Sequence, residues 1–269
     1  MTKRKVDFLT VAGRFPWLYG LAALTIMFLY LPIVMVVLFS FSVDVTTRFP
    51  IRGLTLSWYL TAFNTPALLS AARNSVYVAM GTALLTALVA TPAALALTRY
   101  RFRWRGTLSA FFTVPLALPT LILGVSLLLL FSAMKVRLSL LTVVVGHALY
   151  LAPFMLLVIR ARLMDMDRFI EEAARDLGAS GWRTFWEVTF PLIRSSIVGG
   201  MFLVFAQSFD LFVITFLTIG PQSTLPLVVW SMLRTGVNPS INAISTVLLF
   251  TSAAMLVIAS RFTKITIEV

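Results

Sequence analysis

Six apolar runs, at residues 18–41, 76–97, 108–131, 138–159, 197–216 and 241–259, dominate this 269-residue chain. Crossing the hydrocarbon core of a bilayer takes roughly 20 apolar residues in a helix, so each run is long enough to cross once. Lipid offers backbone N–H and C=O groups no partner, and any shape other than a helix would leave them unsatisfied along such a run. The expected fold class is therefore an all-α membrane protein with six transmembrane helices, and residues 1–269 read as a single transmembrane domain. With 59% hydrophobic and 12% charged residues, a soluble globule, in which about a quarter of residues are charged, is excluded. Lys3, Arg4 and Lys5 ahead of the first run imitate a signal peptide. That run is too long for one and lacks a small-x-small cleavage site, which makes it a membrane span.

Charge then orients the spans. Of the 22 Lys and Arg residues, sixteen lie at the two ends and in the loops after spans two and four, against six on the other side. Positive residues favour the cytoplasmic face, so both termini and the loop after span four are expected there. The net charge of +12 is spread over short loops, which fits topology and not a nucleic-acid surface. In the loop 99–105, cations alternate with Tyr100, Phe102 and Trp104, a pattern suited to anionic lipid headgroups. Within 42–73, Trp58 and Tyr59 are an aromatic pair of the kind found at a headgroup boundary, although a plain connector reads the same.

The polar loop 165–195 holds six of the ten acidic residues. It reads as two short helices. Asp167 can cap the first, residues 168–177 lack Gly and Pro, and Gly178 supplies the left-handed residue that ends it. Ser180 can cap a second, which Pro191 closes. By helical spacing Phe169, Ile170, Ala173, Ala174 and Leu177 share a packing face, while Arg168, Glu171, Glu172 and Arg175 share a wet one. On that face Glu171 with Arg175, and Arg168 with Glu172, are spaced for i,i+4 ion pairs worth only a few tenths of a kcal/mol. A plain amphipathic surface helix satisfies all of this.

The loop also carries Glu172-Ala173-Ala174, then Gly178 after three residues, then Val188-Thr189-Phe190-Pro191. This resembles the E-A-A-and-glycine signature of permease subunits in binding-protein-dependent ATP-binding-cassette importers, with Val188 and Phe190 standing where that signature has Ile and Leu. The resemblance implies a cytoplasmic docking (coupling) loop, 165–195, seated on an ATPase subunit, with Glu171, Glu172, Ala173, Ala174, Asp176, Gly178 and Pro191 as its docking residues. It implies partners: a second permease subunit, two ATP-binding-cassette ATPase subunits and an external solute-binding protein, in a bacterial inner membrane. ATP and Mg would be bound by the ATPase subunits, and no cofactor by this chain. That agrees with the sequence, where no lysine stands in a G-x-x-x-x-G-K-[ST] setting. Movement would be alternating access.

Residues 147–163 and the pattern of Pro and Gly across 220–242 are also similar to the spermidine/putrescine branch of that family, which makes a polyamine-like cation the leading solute. Members of that branch commonly carry two adjacent acids where this chain has Asp210-Leu211, and a further acid in the next loop, where Gln222-Ser223-Thr224 stands here. Another monocationic, zwitterionic, opine or amino-acid-like solute therefore remains the alternative.

Asp210 is the only acid inside an apolar run. At such a depth a carboxylate marks a pathway, a paired cation or a neutral buried acid. Phe202, Phe205, Phe209, Phe212 and Phe216 recur at helical steps around it, either as packing or as cation–π walls. Gln207, Phe209, Asp210 and Phe212 are the candidate substrate pathway. His147, the only histidine, has no cysteine or second histidine with which to hold a metal, and is expected to make an interhelix hydrogen bond. No catalytic residues are expected. An intramembrane enzyme built on Asp210 and His147 would need a third polar partner that spans four and five hardly offer, and a secondary transporter would show inverted broken repeats that are not evident. Prolines fall inside spans one to four, and Pro115, Pro119 and Gly124 make span three the most bendable.

Overall fold

A computed structural model describes residues 16–44, 48–235 and 240–262. The basic start at Lys3 to Lys5, the Gly236-Val237-Asn238-Pro239 stretch and the tail after Phe262 lie outside the described residues. Among those described, the chain is helical: α1 (Pro16–Ser40), α2 (Ser57–Asn64), α3 (Pro66–Arg99), α4 (Arg105–Ala117), α5 (Thr120–Ala133), α6 (Leu140–Asp165), α7 (Phe169–Asp176), α8 (Gly181–Thr184), a π turn (Phe185–Thr189), α9 (Phe190–Asp210), α10 (Phe212–Thr218), α11 (Leu225–Thr235) and α12 (Ser240–Phe262). The all-α membrane expectation holds.

Among the described residues, five helices are long and apolar enough to cross a membrane: Trp17–Ser40, Pro66–Arg99, Leu140–Asp165, Gly181–Asp210 and Ser240–Phe262. Span three, expected as one helix, is instead the pair α4 and α5, bent by 111°. Pro119 causes the break. A residue before proline is pushed out of the α region, and Leu118 sits extended at φ −85°, ψ 134°. Each half is about 20 Å long at 1.5 Å per residue, short of the roughly 30 Å hydrocarbon core.

Span five also departs from expectation. The long helix starts at Gly181, inside the polar loop, and ends at Asp210; Leu211 is extended and α10 begins afresh at Phe212. Pro191 does not close a helix. It stands in the first turn of α9, where its missing N–H costs little, and the π turn just before it opens the ladder at Glu187, whose carbonyl the ring would otherwise crowd.

The core is built on α3. Ala79, Ala83, Thr86, Ala90, Ala94 and Leu97 are all buried at helical spacing, and this small-residue face lets α6 and α9 approach closely. Leu151, Met155, Leu156, Ile159, Leu163, Ile193 and Val204 fill the junction. A second cluster joins Leu68, Ala71 and Ala79 of α3 to Phe209, Leu225 and Ile244. At the far end the half-helices α5 and α10 pack on each other, with Leu123, Leu127 and Phe131 around the fully buried Ile214. By contrast α1 is exposed along nearly its whole length and rests chiefly on α12. In the 42–73 segment, α2 carries the aromatic pair: Trp58 Nε1 donates to the Ser42 carbonyl at 2.8 Å, and the Tyr59 hydroxyl lies 2.6 Å from Ser40 Oγ.

Candidate functional site: the polar loop and the broken fifth span

The first helix of the loop forms where expected. Asp167 Oδ1 accepts from the Phe169 N–H at 3.0 Å, and Gly178 ends the helix at φ +88°, a left-handed conformation that a side chain strains. Ser180 caps α8 by accepting the Arg183 N–H at 3.3 Å.

Arg168, Glu172 and Arg175 are exposed as expected, but the expected packing face is open and one residue of the wet face is buried. Phe169, Ile170 and Leu177 are 74%, 46% and 90% exposed, whereas Glu171 is 5% exposed and is the buried residue of α7. Neither expected i,i+4 pair forms on this helix. Glu171 Oε2 instead lies 2.9 Å from Arg99 Nε, a buried ion pair in which the Nε–H is not aligned for a hydrogen bond, and Glu171 Oε1 accepts from Thr189 Oγ1 at 2.8 Å. The physical reason lies in what the helix rests on. Beneath α7 is the last turn of α3, whose unpaired carbonyls and Arg99 guanidinium require polar partners and not Phe or Leu. Arg168 donates to the Arg99 carbonyl at 3.2 Å and Arg105 to the Leu97 carbonyl at 3.1 Å, cations placed at the negative end of a helix dipole. With Glu171 turned to that helix end, Phe169, Ile170 and Leu177 are left outward.

The remaining loop residues are placed as follows. Glu172, Ala173, Asp176, Gly178 and Pro191 are exposed and Ala174 is half-buried. Glu172, Ala173 and Asp176 therefore share the open surface with Phe169 and Leu177. Past the bend, Trp182, Phe185, Trp186 and Phe190 pack ring against ring, tilted or edge-on, at centroid separations of 5.0 to 6.4 Å. Arg183 and Glu187 pair at 2.9 Å on the exposed side. A groove of about 700 Å³ runs between this aromatic row and α3, with Leu88, Leu95 and Ile197 in its walls.

At the other end of α9, the chosen pathway residues separate. Asp210 is exposed at the helix end and its Oδ2 accepts from Ser252 Oγ of α12 at 2.7 Å. Gln207 is exposed, Phe212 is half-buried, and Phe209 is buried in the cluster with Leu68 and Leu225. The aromatic stripe is not continuous: Phe202 stacks on Phe262, Phe205 on Phe209, and Phe212 on Phe216 and against Trp230.

His147 spans the break. Its Nδ1 lies 2.8 Å from Ser208 Oγ, before Leu211, and its Nε2 lies 2.8 Å from Thr215 Oγ1, after it. Thr215 already donates its hydroxyl proton to the Leu211 carbonyl at 2.6 Å, so it can only accept from the ring. The tautomer is thereby set: Nε2 carries the proton and Nδ1 accepts from Ser208. The expected interhelix hydrogen bond is thus present twice. No cluster of His, Asp or Glu with metal-ligand geometry occurs among the described residues.

Residues 83–266 match the family model described as "Binding-protein-dependent transport system inner membrane component". The chain is 38% identical over 245 residues to the putrescine transport system permease protein PotI of Escherichia coli, covering 88% of this chain and 86% of that one. It is 35% identical over 237 residues to the spermidine/putrescine transport system permease protein PotC of the same species, with 87% and 88% covered. In three dimensions it resembles a chain of a bacterial alginate ABC transporter solved with its alginate-bound periplasmic protein, at TM-score 0.72 and 14% identity over 96% of this chain and 97% of that one. A chain of the MetNI methionine ABC transporter aligns at TM-score 0.64 and 15% identity, over 74% and 95%. A six-run hydropathy pattern, an E-A-A loop with its left-handed glycine, and the match over residues 83–266 converge: the chain belongs to the family of binding-protein-dependent transport system inner membrane components.

Proposed function

We propose that this chain is the transmembrane permease subunit of an importer and passes a small cationic organic solute of the putrescine and spermidine class across a bacterial inner membrane. ATP and Mg are bound by two separate ATPase subunits, a second permease completes the path, and an external binding protein delivers the solute. Both termini and the 165–195 loop face the cytoplasm, as the charge count requires. Transport runs by alternating access: ATPase closure displaces the loop, and the spans rearrange about the solute.

The observation that carries this reading is the outward apolar face of α7. Phe169, Ile170 and Leu177 are exposed on a helix whose one buried side chain, Glu171, is engaged by Arg99 and Thr189. In a polar loop, apolar side chains presented to water are accounted for by a partner that covers them. The solute class rests on the putrescine and spermidine relatives. The single acid Asp210, with one oxygen already taken by Ser252, favours a second reading for the solute alone: a monocation, zwitterion, opine or amino-acid-like molecule.

The test is reconstitution of the chain with the ATPase, second permease and binding protein of its own host. Copurification of the ATPase, and ATP hydrolysis stimulated by putrescine-loaded binding protein, are expected. Hydrolysis stimulated by an amino-acid load and not by putrescine selects the second reading. An ATPase that never copurifies refutes the subunit assignment.

A further inference from the structure

We propose that Glu171 is a positioning residue that locks the docking helix to two membrane spans at once, so that α7 and the adjoining end of α3 move as one body. This rests on the permease reading above. One carboxylate serves both spans: Oε2 holds Arg99, the last residue of α3, and Oε1 holds Thr189, at the foot of α9.

Three features make this a joint and not an incidental surface contact. First, the pair is dry, with the Arg99 and Glu171 side chains 7% and 6% exposed. An exposed ion pair yields easily, whereas separating a buried one strands a charge away from water, so motion applied to one partner is passed to the other. Second, α7 meets α3 through side chains and not through packed backbone: its main neighbours are α8 and the π turn. The connections to α3 are the Arg99–Glu171 pair and the donation from Arg168 to the Arg99 carbonyl, with Arg99 Nη2 also reaching the Met166 carbonyl at 3.5 Å. Third, the covalent links on either side of α7 are the places able to bend. Met166 is extended, and Gly178 is left-handed after α7 ends at Asp176. A push on the outward face of α7 therefore reaches α3 through Glu171 and not through the chain.

Sequence spacing concealed this role, because Glu171 to Arg175 is a textual ion pair on the same helix. The i,i+4 partner is not used, and the working partner lies 72 positions earlier in the chain.

The described chain and its full sequence contain no cysteine, so spin labels can be placed at introduced cysteines in the assembled transporter. Leu84 on α3 and Arg175 on α7 are both exposed. In the doubly labelled Leu84→Cys, Arg175→Cys complex, the distance distribution is expected to stay the same between nucleotide-free and ATP-bound states. A second pair, Arg175→Cys with Leu130→Cys on α5, is expected to shift. Adding Arg99→Gln frees the first pair to shift as well, and solute taken up per ATP hydrolysed falls roughly tenfold, within the usual range for a lost coupling. The exchange Arg99→Glu with Glu171→Arg restores part of that ratio.

A nucleotide-dependent shift of the Leu84–Arg175 pair in the otherwise unaltered protein overturns the joint, and so does a normal uptake-to-ATP ratio in assembled Arg99→Gln. If Arg99→Gln fails to assemble, the distance in the unaltered protein decides alone. Absence of any ATPase association would overturn the permease reading first, and the joint with it.

Discussion

His147→Leu should destabilise the bundle by about 2–4 kcal/mol. Leucine fills nearly the same space, so the cost is in hydrogen bonds and not in a cavity. The Ser208 hydroxyl loses its acceptor while buried, which costs about 1–3 kcal/mol, and Thr215 loses the ring N–H but keeps its bond to the Leu211 carbonyl, a net loss of about 0.5–1.5 kcal/mol. The assay is unfolding of the purified chain in mixed micelles by SDS titration, followed by tryptophan fluorescence. A double-mutant cycle isolates the staple: with His147→Leu already in place, Ser208→Ala removes an orphaned hydroxyl and should be less costly than in the unaltered chain by about 1 kcal/mol or more. Because the ring ties the two sides of the break at Leu211, amide exchange in 211–218 should rise in His147→Leu before it rises in α3 or α6. Strict additivity in the cycle, or unchanged exchange after the break, would refute the argument.

Gly178→Val forces a β-branched residue into φ +88°, at a cost of about 1–3 kcal/mol in that loop; insertion survives and uptake driven by ATP is lost, measured in proteoliposomes beside quantified protein. Asp210→Asn keeps a carbonyl oxygen for Ser252 while removing the charge, so uptake should fall strongly with ATPase assembly intact. Unchanged uptake there, together with a destabilised Asp210→Leu complex, would make Asp210 a structural acid. Single cysteines report orientation: a membrane-impermeant maleimide should label Arg52→Cys in intact cells and Ala179→Cys only after permeabilisation.

Much of the fold was legible because lipid imposes a coarse rule: apolar length decides helix, and cations decide side. The cap at Asp167, the left-handed Gly178 and the paired His147 followed from local chemistry alone. Two expectations failed. The open apolar face and the buried Glu171 of α7 were missed by assuming that apolar side chains turn inward, a rule that presupposes an apolar surface to turn towards; Glu171 meets instead a helix end with carbonyls and a guanidinium. Likewise Pro191 was read as a stop because an opened turn of backbone ahead of it leaves no mark in residue type. At 108–131 Pro119 was visible, but hydropathy does not distinguish a straight span from two halves at 111°. The substrate residues were chosen along one continuous helix, and the extended Leu211 puts Phe212 on a different rod from Phe209.

The π turn at Phe185–Thr189 has a consequence for how such chains can change length. Relative to an α-helix it carries one surplus residue, taken up in a single widened turn, so deleting that residue would let the ladder close while leaving everything beyond it at nearly the same azimuth. The faces of α9 are tied to that azimuth. Gly200 meets the fully buried Met155 so closely that an added Cβ would lie 2.5 Å from the sulfur, and Ser196 and Gly199 are buried on the same helix. A one-residue deletion in the regular helix just after Phe190 would instead turn everything beyond it by roughly 100° and carry exposed Arg194 into the place of buried Ile193. One-residue length variation among functional sequences of this kind is therefore expected to collect at the π turn, where slack is already present, and to spare the keyed shaft beyond it.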